Sequence, residues 1–170
     1  MTTYQDYCKA LLDEAPRREA IDRMLRVLPV KMAQAISDYL AAPDGCVGLY
    51  QCVVDAEGHR TWQRCQAADC LQADYNGIYQ FCVGIDTYVP AGSSNYSIGY
   101  LLFTVEEFDE RSIELQINNL DGKISITDAN DPARYVDAAK TAIDLIMSDL
   151  KNPKPLRGSR APIGFGHHGS

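Results

Sequence analysis

The sequence predicts an α+β fold: a single curved antiparallel meander of about five to six strands, with N-terminal helices and one long C-terminal helix packed on one face. Three observations carry this. Apolar residues recur at helical spacing up to residue 42, alternate with period two from 46 to 128, and return to a helical period over 132–150. The expected organisation is one domain over 1–150, helical to residue 42, followed by a basic Pro/Gly-rich tail over 151–170. A chain of 170 residues is long enough to bury roughly 70% of the surface its unfolded form exposes, so it needs neither a metal nor a disulfide to fold.

Thr2 with Gln5 reads as a capping box, and Tyr4, Tyr7, Cys8, Leu11 and Leu12 keep helical spacing until Pro16. A first short helix is expected there. Over 17–42, Ile21, Met24, Leu25 and Leu28, then Met32, Ala33, Ile36 and Leu40, continue the period on both sides of Pro29. Proline lacks a donor and clashes one turn back, so this stretch predicts two helices or one kinked helix, ended by Pro43-Asp44-Gly45.

Residues 46–55 and 60–66 flank Ala56-Glu57-Gly58-His59, a hairpin loop. After the Asn76-Gly77 turn, Tyr79, Phe81, Val83 and Ile85 alternate with Gln80, Cys82, Gly84 and Asp86, as in a half-buried strand. A Gly/Ser loop over 90–95 leads to a strand over 96–105, and 106–111 reads as an acidic turn. Ile113, Leu115 and Ile117 alternate with Glu114, Gln116 and Asn118, and Asp121-Gly122 turns the chain into Ile124 and Ile126. Connections this short make the strands antiparallel, because a parallel step needs about a dozen residues. Asp131-Pro132 starts the last helix, with Val136, Ala139, Ile143, Ile146, Met147 and Leu150 as its apolar stripe. Asn152-Pro153-Lys154-Pro155 ends it, and the tail beyond holds too little apolar material to fold alone.

Charge is divided by segment. Between Cys46 and Asp131 stand 13 acids against four bases, a balance of −9, whereas 151–170 carries Lys151, Lys154, Arg157 and Arg160 and no acid. A net charge of −7 repels a phosphate backbone, so ordinary nucleic-acid binding is not expected. The opposite signs favour docking, of the tail onto its own sheet or of each part onto a partner. The N-terminus lacks the pattern of a signal peptide and no apolar run reaches the roughly 18 residues of a membrane span, so a cytoplasmic protein with six reduced thiols and no membrane contact is expected.

Residues that carry chemistry are few. The three histidines fall in the hairpin loop (His59) and near the end of the tail (His167, His168), where His59 reads as a solvated turn residue. Cys65 and Cys70 stand four residues apart, wider than a tight metal knuckle, and Cys46, Cys52 and Cys82 sit among apolar strand residues, so no metal site is assigned. Cys70, beside Asp69, reads as the most exposed thiol. No phosphate loop, dinucleotide fingerprint, nucleophile elbow or zinc-protease motif occurs; no catalytic residue and no cofactor is assigned. Aromatics crowd the middle strands: alternation sets Tyr79 and Phe81 on one side with Val83 and gives Tyr96 and Tyr100 a shared face with Ile98 and Leu102, so at least one of these sets is expected to face the helices.

The function expected is therefore that of a non-enzymatic protein-interaction module, a bacterial accessory of chaperone or inhibitor type. Its acidic sheet surface, with Glu106, Glu107, Asp109 and Glu110 around Phe108, and its basic tail, with Arg157 and Arg160, would bind another protein. In size, acidity and helix-flanked sheet the chain resembles the small acidic chaperones of bacterial secretion systems. Those place a helix within the strand series, where this chain is read to have none; the likeness is one of architecture and implies no residue roles. The alternative is a small-molecule binder or enzyme with a cavity between the sheet and the last helix. A homodimer is a further expectation, through an unpaired edge strand at 46–55 or 123–128, unless the tail covers that edge.

Overall fold

The computed structural model describes residues 3–87, 97–118, 120–152 and 165–167. The chain begins with one helix, α1 (Tyr4–Leu40), 37 residues long. Its capping box lies one residue later than the sequence indicated: Asp6 N–H donates to Thr3 Oγ1 (3.2 Å) and Thr3 N–H to Asp6 Oδ2 (2.9 Å). Neither proline breaks the helix, which overturns the expected end at Pro16 and, of the two readings at Pro29, leaves that of a single helix. An internal proline costs about 3 kcal/mol. Pro29 lies among buried Met24, Leu25, Leu28, Met32 and Ile36, and burial at about 1.5–3 kcal/mol per side chain outweighs the lost bond. Pro16 falls in an exposed stretch where water solvates the carbonyl left without a donor. The helix closes before Pro43: Ala41 adopts the left-handed conformation (φ 46°), and Ala42 N–H donates back to Ser37 O (3.0 Å).

The strands are β1 (Val47–Val54), β2 (Arg60–Arg64), β3 (Gln72–Ala73), β4 (Tyr79–Thr87), β5 (Ser97–Phe108), β6 (Ile113–Ile117), β7 (Lys123–Ile126) and β8 (Phe165–His167); α2 (Ala67–Cys70) separates β2 from β3, and α3 (Pro132–Lys151) follows β7. They form one open antiparallel sheet in the order β2-β1-β4-β5-β6-β7, with β3 added to β4 and β8 to β5. The fold is α+β. The strand series is not the uninterrupted meander expected, because α2 and β3 intervene and β1 pairs with β4. It follows that β1 is internal, so of the two expected edges only the one at β7 exists; the other edge is β2. The tail segment β8 extends the sheet alongside Ser97–Gly99.

The helices cover one face. Leu49, Phe81, Val83, Leu101, Phe103, Val105, Leu115, Ile117 and Ile124 pack there against Leu28, Met32 and Ile36 of α1 and Ala139, Ile143 and Ile146 of α3. The buried stripe of α3 is turned from the predicted one: Tyr135, Ala138 and Ala142 are buried, while Val136, Met147 and Leu150 are exposed. The alanines let α1 approach closely. Tyr135 and Lys31 both donate to Ala129 O (3.2 and 3.1 Å), and Lys31 Nζ lies 4.9 Å over the Tyr135 ring, which sets the rotation of α3. Cys70 is buried rather than exposed, its Sγ directed at Tyr50 O and Cys82 O, and burial pushes its thiol up to about 12. No helix among the described residues is long and apolar enough to cross a membrane.

Candidate functional site

The acidic cluster is strand, not turn, for three of its five residues: β5 continues through Glu106, Glu107 and Phe108. Val105 pairs with Leu115 and Glu107 with Glu114, which leaves Glu106 as the extra residue of a β-bulge. Ile113 and Ile126 face the helices, as does Phe108, the partner of Ile113, whereas Glu107 and Glu114 share the opposite face. Like charges directly opposite on neighbouring strands destabilise a sheet. Lys123 partly relieves this pair, with its Nζ 2.8 Å from Glu114 Oε2. The hydrogen bond and charge of Glu114 raise the lysine's pKa, and Glu107 and Glu106 add to the effect.

The five carboxylates and one ring divide by role. Glu110 accepts from Arg17 Nε of α1 (2.6 Å), and the carboxylate charge beside it raises the arginine's pKa. Asp109 closes the β5–β6 turn: its Oδ1 accepts from Arg111 N–H and Ser112 N–H, both at 2.7 Å, and these bonds hold its carboxyl below the ordinary carboxylate value. Both are therefore occupied by the fold. Glu106 and Glu107 make no ion pair among the described residues and are exposed. Phe108, 40% exposed, packs edge-on against Tyr79 with ring centroids 6.1 Å apart. A groove of about 350 Å³ runs along this end of the sheet, lined by Glu107, Phe108, Asp109, Glu114, Ser125 and Thr127 among others. Arg157 and Arg160 lie outside the described residues. Sequence reading missed Glu114 and Lys123 as part of the cluster, because the bulge that sets Glu107 opposite Glu114 has no signal in the strand pattern.

Two other groupings stand apart from the groove. On the face opposite the helices, Trp62 stacks on Tyr100 (5.4 Å, 23°) and Tyr50 meets Tyr100 edge-on (5.2 Å, 77°). Gly84 makes room for this set, since a Cβ there would overlap the Tyr50 ring. Tyr100 lies on this face, away from Tyr79 and Phe81 on the helix side; Tyr96 is outside the described residues. In the β1–β2 hairpin, Asp55 Oδ1 accepts from Glu57 N–H (2.9 Å) and His59 N–H (2.8 Å), and the His59 ring lies 3.1 Å from Asp55 Oδ2. These bonds, led by that from His59, lower the Asp55 pKa, and they hold Asp55, Glu57 and His59 together within 4.8 Å on an exposed loop. That is the local bonding of a turn.

Comparison of the chain with protein-family models, with curated proteins and with solved structures returns no match.

Proposed function

We propose that this chain is a protein-interaction module without a reaction of its own, an accessory of chaperone or inhibitor type, and that the acidic end of its sheet receives a basic partner protein. One observation carries the reading. Glu107 is held directly opposite Glu114 and next to Glu106 on a bulge; Glu106 and Glu107 make no ion pair among the described residues, and Glu107 borders a groove that contains the half-exposed Phe108. Such a surface attracts Lys and Arg side chains, and the aromatic ring adds an apolar contact for their methylene stems. The basic tail is the second element of the reading, and Arg157 and Arg160 are its proposed contacts.

Affinity capture from the native lysate tests it, with wild type, a Glu106→Lys/Glu107→Lys variant and a truncation ending at Lys151. Glu110 is left unchanged because its loss would break the ion pair with Arg17. The expected result is a basic protein held by wild type, released by added salt and absent with the double variant. Loss on truncation assigns a share of the binding to the tail. Equal capture by wild type and the charge-reversed variant overturns the acidic groove as the site.

A further inference from the structure

α1 is buried in one half and bare in the other. Met24, Leu25, Leu28, Met32 and Ile36 are inside the core, with Val27 and Val30 exposed beside them, whereas in the first half Tyr4, Tyr7, Leu11 and Leu12 are exposed to 81%, 58%, 43% and 74%. At about 100° per residue these four, with Cys8 and Ala15, fall in one stripe along the helix, and Asp6, Lys9 and Asp13 fall on the other side. The arm before Ile21 is close to the length at which a helix alone in water is marginal, and Pro16 removes one of its bonds. An apolar stripe on such an arm gains stability from cover.

We propose that a second copy of this chain covers it, through antiparallel two-fold pairing of the two 4–15 segments. The stripe is complementary to itself about the Lys9–Ala10 bond: Tyr4 comes opposite Ala15, Tyr7 opposite Leu12 and Cys8 opposite Leu11, so every apolar residue meets an apolar residue and the tyrosines meet smaller ones. Gln5 comes opposite Glu14 at the border, while Asp6, Lys9 and Asp13 stay in water, so no charge is desolvated without a partner. Parallel pairing would bring the two positive helix N-termini together; the antiparallel sense separates them. It also sends the two sheets away at opposite ends, clear of each other. The four exposed side chains offer roughly 500 Å² per copy, or about 1,000 Å² in all, the lower end of what specific association uses. The dimer is therefore concentration-dependent. This pairing is independent of the acidic groove.

Sedimentation velocity across a wide concentration series reads it directly. Wild type should pass from monomer to dimer, and a Tyr7→Glu/Leu12→Glu variant should remain monomeric at every concentration while unfolding at the same temperature as dilute wild type, since both residues are exposed. A wild type that stays monomeric throughout, or a dimer that persists in the variant, overturns the proposal. So does a monomer that gains mass only in lysate, which would indicate a different helical partner. The register has its own test. With glutathione disulfide as oxidant, Leu11→Cys protein should form a covalent dimer through Cys8 of the second copy, and adding Cys8→Ser should abolish it; a covalent dimer that survives Cys8→Ser overturns the antiparallel register.

Discussion

On the face that carries α1 and α3, Phe81, Val83, Leu101, Phe103, Leu115 and Ile124 are buried; on the opposite face the sheet presents Tyr50, Trp62 and Tyr100 at one end and Glu107, Glu114 and Lys123 at the other. The first face is held by area removed from water, which is indifferent to direction. The second is held by specific geometry: a stacked ring pair, a glycine that accepts a tyrosine over its backbone, and one lysine bonded to Glu114. The difference teaches where recognition can reside. The acidic end contributes little to cohesion, so its composition is free to serve an interaction.

The largest break of this comparison is Phe103→Ala. The ring is fully buried and stacked on Phe81 at 4.9 Å and 11°, so urea unfolding should register a loss of about 3–5 kcal/mol. Next is Gly84→Ala, which drives a methyl into the Tyr50 ring and should cost about 1–3 kcal/mol by the same measurement, with a change in near-ultraviolet circular dichroism from the disturbed aromatic set. If Gly84→Ala were neutral, the opposite face would be as plastic as a surface loop. Smaller and of opposite sign is Glu107→Lys. It turns a repulsive cross-strand pair with Glu114 into an attractive one and should stabilise the fold by about 0.2–1 kcal/mol while weakening partner capture. A stabilised variant that still binds would separate the charge pair from recognition.

The smallest effect is a pH dependence at the β5–β6 turn. Asp109 has a folded pKa below the ordinary value of 3.8, so its contribution is present above that value and is lost as pH falls through it to the folded pKa. In unfolding measured from neutral to acid pH, Asp109→Asn should lower the acid sensitivity. Asp6 and Asp55, also lowered by backbone bonds, keep part of it.

The acidic site was legible in the sequence as composition and illegible as geometry. Glu106, Glu107, Asp109 and Glu110 are adjacent in the chain, yet two of them are taken up by Arg17 and by the turn, and the member that matters most beside Glu107 is Glu114, seven positions on. A bulge shifts pairing by one residue, and a shift of one exchanges faces; nothing in the spacing of Val105 and Glu106 reports it. The α3 stripe was misread for a related reason. Val136 and Met147 fit a helical period as well as Ala138 and Ala142 do, and the choice depended on how closely α1 could approach.

What the sequence determined by itself was the order and kind of most elements, the α+β class and the start of α3 at Asp131-Pro132, because backbone periods of two and 3.6 and capping bonds are local and act within a few residues. The tertiary structure alone decided that Pro16 and Pro29 lie inside one helix, that β1 is internal, that Cys70 is buried, that Tyr79 and Phe81 face the helices, and that Glu107 stands against Glu114. Each of these is a competition between a local preference of at most a few kcal/mol and the burial of many side chains from distant parts of the chain, and burial prevails because it sums over all of them.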